Sequence, residues 1–165
     1  KIKSIQKEGE DSIIIVLQKT DKPDFISRLV FVDRTLTSQQ ALDATGISIQ
    51  HTCLAVLAEM PGQGEGKKEV ELVLFRRKRI NRDDNLAKKY EELGFDPADP
   101  HSVVALNRAE PDFANHFPNA THWKDPAGKW CCMTFSGSNG RRQLTVDRSI
   151  LPWRTCWWFA GVRKI

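Results

Sequence analysis

His116, His122 and Asp125 lie within ten residues of one another and could do chemistry together. Neutral imidazole both ligates metals and titrates near neutrality, so the trio could serve as base and acid or hold Zn²⁺. A hydrolase or transferase centred on this corner is therefore one expectation. Against it, the spacing of the two histidines fits no compact helical or hairpin metal geometry. Asp125 also opens Asp-Pro-Ala-Gly, where aspartate is the usual turn former. A helix-to-strand corner with one histidine bonded to backbone is the plainer expectation, with no metal and no cofactor.

Cations form the second group. Arg76, Arg77, Lys78 and Arg79 follow one apolar run, Arg82 comes soon after, and Arg141 and Arg142 sit at a later turn. Guanidinium groups bind phosphates bidentately, while ammonium groups bind them as point charges. All five tryptophans lie beyond residue 119, and Trp157 and Trp158 are adjacent. On a strand such neighbours face opposite sides, so one is expected in the core and the other against a further layer or a ligand. Basic tips flanking an aromatic sheet are the make-up of a single-strand stacking groove. The leading expectation is a non-enzymatic binding module whose partner is nucleic acid or another polyanion. A protein–protein interaction or assembly component, for instance of a mobile element, is the third.

Other patterns carry less. The glycines of Gly62-Gln-Gly-Glu-Gly66 resemble a phosphate loop, but a strand rather than a helix N-terminus is expected after them. Asp24, Glu65 and Lys67 match a Mg²⁺ nuclease pattern only if they share a rigid central strand. His51 and Cys53 share a strand face with no group to orient a base. The four cysteines (Cys53, Cys131, Cys132, Cys156) form no CxxC spacing, and adjacent Cys131 and Cys132 would point apart. They read as small buried thiols of a cytoplasmic protein.

Elements must hold these residues in place. Ile2–Gln6 pairs with Ser12–Gln18 across a turn at Gly9, and Phe25–Val32 forms the next strand. Ser12–Leu17 lacks polar alternation, as a strand buried on both faces does. Thr37 or Ser38 caps a short helix that Gly46 ends. Ile47–Glu59 and Glu69–Arg77 read as a long hairpin. Asn81 or Asp83 caps a helix bearing Leu86, Tyr90 and Leu93 that Gly94 stops. Asp99-Pro100 starts a second helix, and Glu110-Pro111 a third that Pro118 closes. Thr121–Lys124, Lys129–Phe135, Arg141–Arg148 and Arg154–Val162 then form a four-stranded antiparallel meander. The expected fold is α+β: a single domain over residues 1–165, mainly antiparallel sheet, with two or three helices inserted around residues 81–117.

Charge sharpens the picture. The net charge of +4 comes from the C-terminal part, where eight basic residues oppose only Asp125 and Asp147. No apolar run approaches the roughly 20 residues of a bilayer span, and no secretory or lipidation signal is read, so no membrane partner is expected. The chain opens on Lys1, not Met, which leaves room for a removed upstream segment.

Overall fold

The computed structural model describes residues 5–7, 13–15, 24–47, 49–62, 65–79, 82–138, 140–149 and 152–164. In chain order the elements are β1 (Ile5–Lys7), β2 (Ile13–Ile15), β3 (Phe25–Asp33), α1 (Ser38–Asp43), β4 (Ile49–Thr52), α2 (Leu54–Ala58) and β5 (Lys67–Arg76). They continue as α3 (Asp83–Leu93), β6 (Phe95–Pro97), α4 (Pro100–Ala109), α5 (Phe113–His116), β7 (Asn119–Lys124), β8 (Trp130–Ser138), β9 (Arg141–Arg148) and β10 (Trp158–Arg163). Among the described residues strand outweighs helix, so sheet dominates and the fold is α+β.

Local chemistry sets the helix ends. Thr37 forms a capping box with Gln40: its hydroxyl accepts from Gln40 N at 3.2 Å, and Gln40 Oε1 accepts from Thr37 N at 2.9 Å. Asp99 caps α4 by accepting from Ser102 N at 3.1 Å, with Pro100 at the first helical position. Gly94 ends α3 in the left-handed region at φ 74°, which a side chain would resist. Each of these ends falls where the sequence signals place it. No described helix is long and apolar enough to cross a membrane.

The sheet runs β3-β5-β10-β7-β8-β9-β4, and β6 pairs with β10 as well. Most neighbours are antiparallel, but β10–β7 and β9–β4 are parallel. One edge of β10 is divided between two strands. Trp158 and Phe159 pair with β7, whereas Gly161, Val162 and Arg163 pair with β6. β7 and β6 therefore part company beside the middle of β10. β1 and β2 form a separate antiparallel pair, as their sequence suggests. The side chains of Ser12–Leu17, expected to be buried on both faces, lie outside the described residues.

Two corrections to the sequence reading follow. Ile47–Glu59 is not one strand: β4 stops at Thr52, and Cys53 leads into α2. β4 pairs with β9, so no Ile47–Arg77 hairpin forms; β5 pairs with β3 and β10 instead. A short apolar run such as Leu-Ala-Val-Leu-Ala suits helix or strand, and here Val56 and Leu57 reach the core from a helix. The C-terminal meander is likewise three strands, β7-β8-β9. The fourth, β10, leaves it to fill the place between β5 and β7.

The two faces of the sheet carry unequal layers. The larger core joins Val30, Val32, Leu72, Leu74, Met133, Phe135 and Leu144 to apolar residues of α1, α2, α4 and α5. The smaller gathers Val73, Phe75, Leu86, Tyr90, Phe95, Trp153 and Phe159 under α3 and the segment preceding β10. Tyr90 meets Phe75 edge to face at 4.9 Å and donates its hydroxyl to Ala160 O at 2.8 Å. Full burial of such a side chain stabilises by about 1.5–3 kcal/mol.

Candidate functional site

Strand direction decides where the cations go. Arg76 closes β5 opposite Trp158, which opens β10, and Trp158 in turn pairs with Asn119, which opens β7. β8 runs back antiparallel, so Arg141, which opens β9 opposite Ser138, emerges at that same end of the sheet. The Arg76–Arg79 run and the Arg141–Arg142 pair, far apart in sequence, thus leave one sheet end four strand steps apart. At about 4.8 Å per step this is roughly 19 Å. Arg76 pairs with Asp24 at 2.7 Å and lies 5.3 Å above the Trp158 ring. Arg77 and Arg142 donate to main-chain carbonyls, Asn85 O and Thr45 O, each at 3.5 Å. Lys78, Arg79, Arg82 and Arg141 are exposed.

The tryptophans do not offer an open ring at this end. Trp158 is 7% exposed and meets Phe117 edge to face at 5.5 Å. Trp157 is half-buried against Trp153 at 6.0 Å. The expected opposition of the two side chains holds, but each is packed.

At the opposite part of β7 lies a second cluster. Asp83, in the first turn of α3, is buried and accepts three hydrogen bonds. His122 Nδ1 and Trp153 Nε1 both donate to Oδ1 at 2.8 Å, and Ser149 Oγ donates to Oδ2 at 2.6 Å. Burial pushes this carboxyl up, but the bonds from His122, Ser149 and Trp153 outweigh it and hold the group below the usual carboxylate range. His122 is sandwiched between rings, with Trp130 parallel at 4.5 Å and Tyr90 at 5.5 Å. Trp130 Nε1 donates to Asp84 at 3.0 Å, and Lys124 Nζ sits 4.7 Å from the Trp130 ring centre.

Comparison with family models, curated proteins and solved structures finds no match for the chain. Its function has to be argued from these side chains.

Of the three residues proposed for chemistry at the 116–125 corner, the structure keeps only His122 beside a carboxylate, and that carboxylate is Asp83. Asp125 accepts from Lys129 N at 2.8 Å and pairs with Arg148; the turn bond from Lys129 comes first among the causes that lower its pKa. His116 is exposed at the end of α5. Sequence reasoning missed Asp83 as a hub because its partners stand 39, 66 and 70 residues away. Its one local sign was an aspartate at the start of a helix.

The remaining candidates separate too. Asp24 lies at the Arg76 end of the β3–β5 ladder and Lys67 at the other, where it pairs with Asp33. The nuclease pattern is therefore not assembled. The His51 side chain lies outside the described residues. All four cysteines are unpaired. Burial pushes the Cys132 thiol up to about 12, with Asp83 and Asp147 adding to it, so it stays protonated at neutral pH and is a poor nucleophile. Among the described residues, no three His, Cys, Asp or Glu side chains gather as a metal site.

Proposed function

We propose that this protein is a non-enzymatic binding module that engages nucleic acid across the sheet end where Arg76–Arg79 and Arg141–Arg142 emerge. The observation that supports it is topological: two basic runs distant in sequence leave the same end of one sheet. Their separation of roughly 19 Å matches about six phosphate steps along one strand of a duplex, at 3.4 Å each. With Trp157 and Trp158 packed, recognition is by charge rather than by ring stacking, and it is tolerant of sequence. A reducing, cytoplasmic setting agrees with four unpaired thiols.

The test is a titration of labelled single strands and duplexes at low and moderate salt. Neutralised phosphates release counterions, so affinity falls steeply as salt rises. Replacing Arg77, Arg79, Arg141 and Arg142 by Ala is expected to flatten the salt slope by about one unit per lost contact. Absence of binding near about 50 mM salt would sink the reading.

A second reading, association with a protein, is favoured by edge strand β3, whose Phe25, Leu29 and Phe31 are 49%, 66% and 63% exposed. Sedimentation at rising concentration tests for self-association through it, and a single monomeric species throughout would remove that form of the reading.

A further inference from the structure

The two bonds that close the β3–β5 ladder fix which atoms of β3 face its other side. Arg76 N donates to Asp24 O at 3.3 Å, and Arg34 N donates to Gly66 O at 2.8 Å. Residues bonded to an antiparallel neighbour recur at every second position, and the register is unbroken from Phe25 to Asp33. The even-numbered residues of β3 therefore direct their N–H and C=O groups to β5. Those of Phe25, Ser27, Leu29, Phe31 and Asp33 point the other way, where no strand pairs with β3 among the described residues. The Leu29 and Phe31 side chains are exposed as well, so free main-chain groups and apolar surface lie together.

A cavity of about 390 Å³ lies at this edge, between β3, α1 and α4. Val30 and Val32 join α4 in the larger core, so Phe31 and Asp33 carry their side chains on the face away from α4. Yet Phe31 and Asp33 line the cavity together with Val104 and Ala105 of α4, which places it at the rim of the sheet and not beneath it. Leu36 and Ala41 extend its apolar lining. Of its charged residues, Asp33 and Lys67 are matched to each other at 2.8 Å. Arg108 is exposed and has no carboxylate partner among the described residues. α4 runs antiparallel to β3, since Arg34 meets Asp99 at the start of the helix and Arg28 meets Glu110 at its end. Val104 thus stands nearer the level of Phe31, and Arg108 nearer that of Leu29.

An extended segment laid along β3 would use all of these features. Its main chain takes up the free N–H and C=O groups. Alternate side chains, about 6.8 Å apart, then turn to the α4 side. One enters the cavity opposite Val32, and the next, opposite Val30, comes up beside Arg108. A second copy of β3 does not fit this description. Its own free groups are also on odd-numbered residues, so it would turn Ile26, Arg28, Val30 and Val32 to the α4 side, which include a further cation and no acid.

We propose that β3 and α4 form a groove for an extended acidic peptide, bound antiparallel to β3, with an apolar side chain in the cavity and a carboxylate two residues later on Arg108. This rests on the protein-association reading and names its partner by chemistry.

The experiment is a fluorescence-anisotropy titration of the intact protein with the labelled, blocked peptide Lys-Thr-Val-Leu-Val-Glu-Thr-Lys, whose leucine and glutamate have the required spacing. Saturable binding is expected. Glycine in place of the leucine should weaken it about tenfold, through lost apolar burial. Lysine in place of the glutamate should weaken it about threefold, as an exposed ion pair is lost. Arg108→Glu, at an exposed position, should reverse the preference between the glutamate and lysine peptides. Hydrogen exchange supplies a readout of the edge itself. The Leu29 and Phe31 amides should exchange fast in the free protein and slow down with peptide, while Val30 and Val32 stay protected throughout. No saturable binding, equal binding of the three peptides, or Leu29 and Phe31 amides already protected in dilute protein would each overturn the proposal. Protection that rises with protein concentration, without peptide binding, would also overturn it but leave protein association standing. Absence of both would remove both.

Discussion

The two ends of the sheet both carry cations, and they hold them differently. At the end reached by the last residues of β3 and β10, five cations sit on carboxylates, Arg34 on Asp99, Lys67 on Asp33, Arg148 on Asp125, Arg163 on Glu71 and Lys164 on Asp96, while Lys124 lies over the Trp130 ring. Arg34 and Asp99 are almost completely buried, 4% and 1% exposed, and joined at 2.7 Å. At the end where β5 stops and β9 starts, Arg76 has a carboxylate partner, while Arg77 and Arg142 make long bonds to carbonyls, with Arg77 also near enough to Glu92 to favour its ionised form. A guanidinium already matched to a carboxylate is part of the fold, since a phosphate would have to displace its partner. One resting on a carbonyl can turn to a phosphate at little cost. The difference separates cations that hold the structure from cations that can meet a ligand.

Breaking the first kind should cost most. Arg34→Met leaves the Asp99 carboxylate buried without its partner, and denaturant unfolding is expected to show a loss of about 3–5 kcal/mol. A loss below about 1 kcal/mol would mean that the paired end is not structural in this sense. Asp83→Asn comes next. Its three incoming bonds go to a charged acceptor, and a loss of about 1.5–3 kcal/mol is expected at pH 7. The folded pKa of Asp83 lies below its unfolded value near 3.9, so this stabilisation is fully present above about pH 4. It fades as pH falls through the folded value. Unfolding measured at pH 7, 5 and 3 should therefore show wild type and variant converging only at the acid end.

Gly137→Ala probes the other end. A Cβ there would lie 1.8 Å from Asn115 Oδ1 and 2.9 Å from Asn115 Cα, so α5 must shift off β8. A loss of about 1–2 kcal/mol in thermal unfolding is expected. The smallest change in stability, within about 0.5 kcal/mol, is expected for the pair Arg141→Ala and Arg142→Ala. The same pair should flatten the salt dependence of strand binding by about two units. If it instead unfolds the protein while Arg34→Met does not, the contrast between the ends is inverted.

Much of the helical part was legible because its signals are local. Thr37 with Gln40, Asp99 with Pro100, and Gly94 each act within a few residues. Strand partnership is not local. Nothing within Trp158–Arg163 says that it inserts between β5 and β7, and nothing within Ile49–Thr52 says that it pairs with β9. The Leu54–Ala58 helix was misread because five apolar residues carry no decisive period. The candidate sites divide likewise. The basic runs stood out by composition, although their meeting at one end depended on topology. His122 was found by residue type, but its partner Asp83 comes from a chain segment that meets it only in the fold.

The central place of β10 has a consequence for synthesis. Every other described strand leaves the ribosome before Trp158–Arg163 does. Until then β3-β5 and β7-β8-β9-β4 are two half-sheets facing each other across a gap one strand wide. Phe75 and Ala120, buried side chains on the two borders of that gap, lack the neighbours they have in the finished fold. Cooperative folding therefore waits for the last strand, and a nascent chain stalled before Trp158 is a target for chaperones or proteases.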